Sequence, residues 1–312
     1  MKIVHGGNVY ELSALAGCSP DDILDFSASI NPLGPPSGLT KIFSDCFHRI
    51  ESYPDIHNRL LIKAISEFHD IDPDFIAVAN GSTELIYWLP HALGINEALV
   101  ALPTFSEYPK AFELRGTRLQ KLFSTPQNFF QPKCDQIAAA LHKGDFDAVL
   151  LTNPGSPSGS LLDEETVKWI INQDPNSKRP LFVIDEVFVD FCERNSLKRF
   201  FGKFKNIALI RSFTKFYGLP GLRIGYLLAP PPITALVRNH IPPWSVSTFA
   251  QAAGVYCLTR SEYRQKSLDL IESERQRLAG ELRKIDGLEV FPANANYLLV
   301  RIDPGLKQAS SL

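Results

Sequence analysis

Between residues 36 and 230, short continuous apolar runs alternate with segments in which apolar residues recur every three or four positions. The first pattern predicts buried strands and the second predicts amphipathic helices. The predicted strands are Phe75–Ala79, Ala98–Leu102, Ala148–Thr152, Leu181–Ile184, Ile207–Arg211 and Ile224–Ala229. The predicted helices are Leu39–Ile50, Leu60–His69, Ser82–Leu93, Tyr108–Arg115, Gln136–Leu141 and Glu164–Asn172. This alternation predicts an α/β fold, in which a mostly parallel sheet is covered by helices on both faces.

The pattern changes near both ends of the chain. The first 35 residues are rich in turn-forming Gly, Pro and Asn but keep some apolar positions, which predicts an arm that packs on the fold. Three consecutive prolines at 230–232 interrupt the alternation, and two helices (Thr248–Leu258 and Glu262–Lys284) and a strand (Tyr297–Ile302) are predicted beyond them. The expected regions are an N-terminal arm (1–35), a large domain (36–230) and a smaller α+β domain (231–312).

Composition excludes several classes of function. The chain has 312 residues, of which 45% are hydrophobic and 21% charged, as is typical of globular proteins. A net charge of -2 disfavours nucleic acid and anionic membranes as partners, because both require a basic surface. No apolar run approaches the ~18 residues of a membrane span, and no signal sequence is present. The five scattered cysteines form no C-x-x-C pair, so we expect a cytoplasmic protein with reduced thiols and no bound metal.

Polar residues follow several of the predicted strands, at the edge of the sheet where α/β proteins bind ligands. Gly81–Thr83 begin a helix there, and free backbone N–H groups at a helix start favour an anion. Taken alone, these residues are more often an ordinary helix cap. Asp185 ends a hydrophobic strand, and a buried carboxylate requires a partner such as a metal ion or a cationic ring. A loop-capping carboxylate is the alternative.

Lys215 lies between aromatic residues in the string Ser212–Gly218. Partial desolvation lowers the pKa of an amine and makes it a better nucleophile. Ser212, Thr214 and Arg223 surround it with donors that suit a phosphate. A solvent-exposed lysine is the usual interpretation of an isolated Lys, but this surrounding string disfavours it.

Taken together, these strings resemble the fold-type I aminotransferase family, which uses pyridoxal 5′-phosphate (PLP). The resemblance covers nearly the whole chain. It depends on Ser212–Lys215 followed by Gly221–Gly225, in combination with Asn153–Pro154 and Asp185–Glu186. It implies the PLP-dependent transferase fold, PLP as the cofactor and a homodimer.

The resemblance also implies roles for individual residues. Lys215 would form the Schiff base with the cofactor, Asp185 would pair with the protonated pyridine nitrogen, and Tyr108 would stack on the ring. The residues that would hold the phosphate are Gly81, Ser82, Thr83, Ser212, Thr214 and Arg223. Tyr53 resembles the tyrosine that reaches the phosphate bound to the partner subunit.

Two residues that donate to the cofactor's phenolic oxygen in many members of this family are replaced in this chain. Asn153 keeps the family motif, but Ser156 replaces an asparagine that normally donates to this oxygen, and Phe188 replaces a tyrosine that does the same in many transferases. A charge-assisted hydrogen bond is worth ~1.5–3 kcal/mol. The resemblance therefore implies that the Schiff base has a different pKa from that of a typical transferase.

Two branches of the family share these core motifs. The strings His5–Asn8, Leu24–Gly34, Ile241–Val246 and Asn294–Tyr297 resemble threonine-phosphate decarboxylases of cobalamin biosynthesis, whereas histidinol-phosphate aminotransferases lack the His-Gly-Gly-Asn start. We therefore expect a carboxy-lyase that converts L-threonine O-3-phosphate into an aminopropanol phosphate. A histidinol-phosphate-type aminotransferase and a PLP-binding protein without turnover remain alternatives. The candidates for binding the phosphorylated substrate are His5, Gly6, Gly7 and Asn31.

The C-terminal region differs from the family pattern. Family members continue beyond the strand that matches Tyr297–Ile302, and the additional segment carries an arginine that binds the substrate carboxylate. No arginine follows Arg301 in this chain. The resemblance therefore implies an incomplete small domain with an open sheet edge, or another cation for the carboxylate.

Overall fold

The structure, a computed structural model, describes residues 5–173, 180–201, 205–303 and 305. Its central layer is a seven-stranded sheet with the strand order β1-β7-β6-β5-β4-β2-β3. The strands are β1 (Ile76–Ala79), β2 (Glu97–Leu102), β3 (Arg118–Phe123), β4 (Ala148–Thr152), β5 (Leu181–Asp185), β6 (Ile207–Ser212) and β7 (Gly225–Leu228). Strands β6, β5, β4, β2 and β3 pair in parallel, whereas β7 is antiparallel to both β6 and β1. The predicted α/β fold class is thus confirmed.

Helices cover both faces of this sheet. The helices on the sheet are α2 (Leu39–Cys46), α3 (Arg59–His69), α4 (Gly81–Ala92), α5 (Glu107–Arg115), α6 (Cys134–Leu141), α7 (Glu164–Ile171), α8 (Pro231–His240), α9 (Thr248–Leu258) and α10 (Ser261–Leu282), while α1 (Val9–Ala16) lies in the N-terminal arm. Helices α2, α3, α6, α7, α9 and α10 contribute to the core on one face, and α4, α5 and α8 to the core on the other. Every residue of β1, β4, β5, β6 and β7 is buried, as expected for strands covered on both sides.

The pattern did not predict α1, β3, α8 or the strand at Leu288–Val290, and two of these, β3 and α8, have clear physical reasons. Strand β3 alternates exposed and partly covered side chains at the edge of the sheet, so its sequence lacks the continuous apolar run of a central strand. Helix α8 begins at Pro231, where a proline is tolerated because the first turn has no N–H partner to lose. The three prolines therefore start a helix rather than end the alternation.

The packing of α8 and α9 bears on the predicted boundary near residue 230. Thr234 of α8 donates its hydroxyl to the carbonyl of Asp74 at 2.5 Å, and Val237 lies in the core beneath α4. Helix α9 shares a core with α2 and α3. The change of sequence pattern at 230 is therefore not a change of core, and the division into a large and a small domain stays a prediction.

A second, two-stranded sheet follows α10. It pairs β8 (Leu288–Val290) with β9 (Val300–Ile302) in antiparallel register. The strand predicted at Tyr297–Ile302 is therefore shorter, because residues 297–299 are not part of a ladder. Residues 1–4 of the predicted arm, and 304 and 306–312 of the predicted small domain, lie outside the described residues. Among the described helices, none combines the length and apolar character needed to cross a membrane.

Gly225 provides a direct test of how closely β7 approaches α4. A Cβ atom at this position would lie 2.5 Å from the Ser82 nitrogen and 2.8 Å from the Gly81 carbonyl carbon. Because backbone atoms cannot move away cheaply, we expect Gly225→Ala to lower the free energy of unfolding by about 1–3 kcal/mol in urea denaturation.

Gly280→Ala is the matched control, since a Cβ there meets nothing within 4 Å inside helix α10. This substitution should raise the free energy of unfolding by ~0.5–1 kcal/mol. Wild-type stability in Gly225→Ala would contradict the close approach of β7 to α4.

Candidate active site

The carboxyl ends of β1, β6, β5 and β4, together with the start of β7, lie at one edge of the large sheet. Thr152 of β4 pairs with Asp185 of β5, and both Ala79 of β1 and Ser212 of β6 pair with Gly225 of β7. The residues that follow these strands include most of the predicted site. The described structure therefore brings together groups that are up to about 140 positions apart in the chain, as the parallel topology requires.

The start of helix α4 forms one side of this site. Gly81 has φ +78°, and a Cβ there would lie 2.5 Å from Nη2 of Arg223, so the guanidinium rests directly on the glycine. Among the described residues Arg223 forms no ion pair, and its one hydrogen bond is a long one of 3.5 Å to the Pro220 carbonyl. A cation held over the start of a helix favours an anion such as a phosphate. The partly exposed Ser82 and Thr83 extend the same helix start.

Two hydroxyl groups extend this anion site toward Lys215. Ser212 donates its hydroxyl to Oγ1 of Thr214 at 2.9 Å, and the Thr214 N–H donates to Oγ of Ser212 at 3.1 Å. These bonds hold the turn between β6 and Lys215 in one conformation. The hydroxyl pair, the start of α4 and Arg223 together have the donor chemistry of a phosphate site.

Lys215 lies in partly apolar surroundings. Its Nζ is 5.7 Å from the centroid of the Phe188 ring. Burial lowers the pKa of the Lys215 ammonium, the positive charge of Arg223 lowers it further, and Asp185 partly opposes both. A larger fraction of Lys215 is therefore neutral, and hence nucleophilic, than for a lysine in water.

Asp185 is buried at the end of β5 and accepts a hydrogen bond of 2.8 Å from the Val187 N–H. Burial raises the pKa of this carboxyl to about 6, although the Val187 N–H, the nearby Tyr108 hydroxyl and the Lys215 charge all lower it. The Tyr108 hydroxyl is itself buried and, within the described residues, makes no hydrogen bond of good geometry. Asp185 therefore carries a charge that its own protein environment compensates only in part, which suits a cationic ring nitrogen as partner.

These residues fit PLP. The nucleophilic amine of Lys215 matches the aldehyde of that molecule, and the under-compensated carboxylate of Asp185 matches its ring nitrogen. The buried Tyr108 ring matches the ring face, and the anion site with Arg223, a cation that has no ion pair among the described residues, matches the phosphate. The individual contacts of each residue with PLP stay predictions. In the described part of the chain, no three His, Cys, Asp or Glu side chains form a potential metal site.

Asn153, Ser156 and Phe188, three of the predicted cofactor residues, have different environments. Asn153 accepts from the Leu162 N–H at 3.1 Å and donates to the Asn195 carbonyl at 3.1 Å, so its amide holds the loop after β4. Ser156 is half-buried, and Phe188 contacts the amine of Lys215. Direct contact of Asn153 with a cofactor stays a prediction, because both ends of its side chain already have partners.

The predicted substrate residues lie in the N-terminal arm. Nε2 of His5 lies 2.9 Å from Oε1 of the buried Glu107, one residue before Tyr108. Gly6 packs on the Ser27 backbone, and the Gly7 N–H donates to Oγ of Ser27 at 2.8 Å. The arm therefore passes beside the site, and substrate binding by these residues stays a prediction.

Asn31 occupies a different environment from the one expected of a substrate ligand. Its buried amide donates to the Phe216 carbonyl and to Oγ of Ser267, each at 2.8 Å, and its backbone N–H donates to the Lys215 carbonyl at 3.0 Å. These bonds support the segment that carries Lys215. A substrate contact by the Asn31 side chain would require them to break, so this role also stays a prediction.

Tyr53 lies on the surface, where 78% of it is exposed. Its ring stacks on Trp244 with centroids 4.4 Å apart and an angle of 23° between the planes. An exposed aromatic stack is consistent with the predicted contact to a partner subunit, which stays a prediction.

Sequence reasoning missed a buried charge network behind the site. The guanidinium of Arg211, at the end of β6, is fully buried and forms hydrogen bonds of 2.8–3.0 Å to both carboxylate oxygens of Glu193. Arg264 of α10 pairs with Asp190 at 3.0 Å. Burial raises the pKa of Glu186 to about 7, and the Arg211 charge partly opposes this shift. Charged residues that are scattered along the chain give no periodic signal. The one indication in the sequence was that charged residues follow some of the apolar strands.

Asp185→Asn tests whether the buried carboxylate is under-compensated. The folded-state pKa of about 6 lies above the ordinary value of 3.8, so the charged carboxylate lowers the free energy of unfolding. This effect has its full size above pH 6 and disappears as the pH falls below 4. In cofactor-free protein at pH 7, this substitution should raise the free energy of unfolding by about 1–3 kcal/mol. The gain should vanish near pH 4.

Asp45→Asn is the control, because Asp45 is exposed and pairs only with Lys41 on the surface of α2. Its substitution should change the stability by less than about 0.5 kcal/mol. A loss of stability in Asp185→Asn at pH 7 would show that the carboxylate is well paired in the absence of a cofactor.

Comparisons with known proteins identify the family of this chain. The family model for aminotransferase class I and II matches residues 21–310. The chain is 34% identical to the threonine-phosphate decarboxylase of Salmonella typhimurium, covering 96% of this chain and 82% of that protein. It is 35% identical to the adenosylcobalamin biosynthesis bifunctional protein of Leptospira interrogans, also over 96% of the chain, and spans only 34% of the length of that relative.

A solved structure agrees in fold as well. The histidinol-phosphate aminotransferase of Clostridium acetobutylicum superposes with a TM-score of 0.83 at 28% identity, covering 90% of this chain and 84% of that one. The predicted family, and PLP as its cofactor, are confirmed by these matches. On the family match and the identity to its relatives, the chain belongs to the class I and II aminotransferase family.

Proposed function

We propose that this chain is a PLP-dependent carboxy-lyase that decarboxylates L-threonine O-3-phosphate and releases an aminopropanol phosphate. The observation that carries the proposal is the cluster at the sheet edge, where Lys215, Asp185 and Arg223 lie within a chain that is 34% identical to a threonine-phosphate decarboxylase. The fold neighbours alone do not distinguish decarboxylation from transamination, since both activities occur among them.

When bound, PLP supplies a ring that takes up the electron pair released when a bond to the substrate Cα breaks. Asp185, ionised above pH 6, would accept a hydrogen bond from the ring nitrogen, and its negative charge would keep that nitrogen protonated. Tyr108 covers one face of the ring and excludes water from it. Arg223, Ser212, Thr214 and the start of α4 bind the cofactor phosphate.

Lys215 has two tasks in this proposal. Its lowered pKa keeps part of the amine neutral at physiological pH, so that Lys215 would be able to hold the aldehyde of the cofactor and to give way to the substrate amine. Once free, the same amine would take up the proton that the substrate ammonium gives up, and as an ammonium it would deliver that proton to Cα to complete the product. Because burial and the Arg223 charge both disfavour the ammonium form, Lys215 releases this proton readily.

Only the Cα bond that stands perpendicular to the ring breaks, so the reaction depends on how the substrate is held. A decarboxylase must hold the carboxylate in that position and a transaminase must hold the hydrogen. Binding of the substrate phosphate on the N-terminal arm side, near His5, Gly6 and Gly7, would orient the carboxylate. We assign these residues to the substrate because the arm passes beside Tyr108.

Histidinol-phosphate-type transamination is the second candidate, supported by the fold match of TM-score 0.83. A PLP-binding protein without turnover is the third. In all three cases we propose a homodimer, in which the exposed Tyr53 stack contacts the phosphate site of the partner.

Incubation of the PLP-loaded protein with L-threonine O-3-phosphate distinguishes the three candidates. Carbon dioxide and an amino alcohol phosphate, formed without any keto acid, are expected. Product that appears only when a keto acid is added would support transamination. Bound cofactor without product would overturn both enzymatic proposals.

Reduction with borohydride before proteolysis tests the assignment of Lys215. We expect the pyridoxyl label on the peptide that contains Lys215, and Lys215→Ala should lose the label and lower kcat by at least about 1,000-fold. Lys41→Ala removes an exposed lysine of α2 and should change neither result. Labelling of any other lysine in the wild type would overturn the assignment.

A further inference from the structure

Asn31 begins a turn of the N-terminal arm and contacts two consecutive carbonyls of the segment that carries Lys215. Its backbone N–H donates to the Lys215 carbonyl at 3.0 Å, and its side-chain Nδ2 donates to the Phe216 carbonyl at 2.8 Å. Only 2% of Asn31 is exposed, so both bonds are shielded from water. The arm is therefore tied directly to the backbone of Lys215.

The Asn31 amide has a single orientation, because two of its neighbours are backbone groups of fixed polarity. Oδ1 accepts from the Leu33 N–H at 3.1 Å, a group that can only donate. Nδ2 faces the Phe216 carbonyl, a group that can only accept, and Oγ of Ser267 at 2.8 Å. Both amide hydrogens thus have partners within the protein. The amide could donate to a substrate only by losing one of these bonds.

The two bonds from Asn31 fix the conformation of the chain directly after Lys215. Because each carbonyl belongs to a planar peptide unit, holding two consecutive carbonyls fixes two consecutive peptide planes and the dihedral angles between them. On the other side of Lys215, the Thr214 N–H donates to Oγ of Ser212 at 3.1 Å. The backbone of Lys215 is therefore held on both sides, by the end of β6 before it and by the arm after it.

Close packing of backbone on backbone leaves this contact little room to shift. Gly218 has φ +63°, and a Cβ there would lie 2.9 Å from the Gly34 carbonyl carbon and 3.2 Å from the Pro35 nitrogen. The Tyr263 hydroxyl of α10 donates to the Gly34 carbonyl at 2.6 Å. The turn that Asn31 begins is thus enclosed between α10 and the turn that follows Lys215.

The amine of Lys215 depends on this backbone for its position. Its Nζ lies 5.7 Å from the centroid of the Phe188 ring, and the charges of Asp185 and Arg223 act on it. A partly buried side chain has few rotamers open to it, so the direction of its Cα–Cβ bond decides where the amine lies. The peptide planes on either side set that direction, and Asn31 holds the planes on one side.

We propose that Asn31 is a positioning residue for Lys215: through the Lys215 and Phe216 carbonyls it holds the lysine so that its amine reaches the aldehyde of PLP. The inference deepens the proposed function and rests on it for the assignment of Lys215. In the linkage, the neutral amine adds to the aldehyde carbon, a C=N bond replaces the C=O bond, and one water molecule leaves. Asn31 itself contacts none of the reacting atoms.

The rate at which Lys215 links PLP tests the inference without any substrate. Cofactor-free protein is mixed with saturating PLP, the absorbance of the linked cofactor is followed, and borohydride trapping gives the share of label on the Lys215 peptide. Asn31→Ala should lower the first-order linkage rate by about 10- to 100-fold, the loss expected when a reacting group moves by about 1 Å. The PLP concentration at half saturation should change little, since Arg223 and the start of α4 are left intact.

Ser267→Ala is the matched control. It removes the other acceptor of the same amide, on α10, and leaves the bonds to the Lys215 and Phe216 carbonyls in place. The Tyr263 hydroxyl, 3.1 Å from Nδ2, can accept the hydrogen that this substitution frees. Both variants lose buried hydrogen bonds and should unfold at lower urea concentrations. Only Asn31→Ala should slow the linkage.

An unchanged linkage rate in Asn31→Ala would overturn the inference. Equal slowing in Ser267→Ala would also overturn it, because the amide would then act through α10 rather than through the Lys215 segment. If Asn31→Ala folds poorly, Asn31→Ser decides by the same criterion, since its side chain is one bond too short for the contact with the Phe216 carbonyl. A raised KM for L-threonine O-3-phosphate at an unchanged linkage rate would overturn the inference in favour of a substrate contact by Asn31.

This readout separates the inference from the proposed activity. The linkage forms without substrate, so an unchanged rate in Asn31→Ala leaves the decarboxylase proposal intact. A protein that shows the expected contrast between the two variants but releases no carbon dioxide from L-threonine O-3-phosphate overturns the proposed activity and supports the inference. A wild type that forms no linkage on Lys215 overturns both.

Discussion

The structure of this site depends on one constraint, which is the burial of the Asp185 carboxylate at the end of a central strand. Burial raises its pKa to about 6, and among the described residues its side chain accepts one hydrogen bond of ordinary geometry, from Val187. Such a charge lowers the free energy of unfolding unless a cation binds beside it. We propose that the positive ring nitrogen of PLP supplies this charge, so that the cofactor would bind where a buried carboxylate lacks a cation. Lys215 experiences the same desolvation with the opposite sign, which lowers its pKa.

The remaining parts of the site hold these two groups in fixed positions. Gly225 allows β7 to approach the start of α4, which places Arg223 over Gly81 and creates the anion site. Behind the sheet edge, the buried pair of Arg211 and Glu193 ties the end of β6 to the segment after β5. Within the described residues, Nε of Arg211 lies 3.7 Å from Glu186 and makes no hydrogen bond, so the network holds the strand end without satisfying every donor. The cofactor site is thus a property of the strand ends rather than of one motif.

The sequence predicted the central strands and most helices, because continuous apolar runs and helical spacing survive in every buried element. It did not predict β3, whose alternating edge pattern is weak, or α8, whose three prolines also fit a loop. At the site, Lys215, Asp185 and Arg223 stood out because their chemistry conflicts with their apolar neighbours. The bonds from Asn31 to the Lys215 segment were not accessible in this way. The partners of its amide are 185–236 positions distant, and no local pattern encodes such contacts.

The most direct test of this account is the titration of the Asp185 carboxyl by carbon-13 NMR, assigned by its absence in Asp185→Asn. In cofactor-free protein the midpoint should lie near pH 6, and addition of PLP should lower it by at least about two pH units, because the ring nitrogen then pairs with the carboxylate. A midpoint near the ordinary value of 3.8 in the cofactor-free protein, or a midpoint that PLP does not lower, would contradict the central claim.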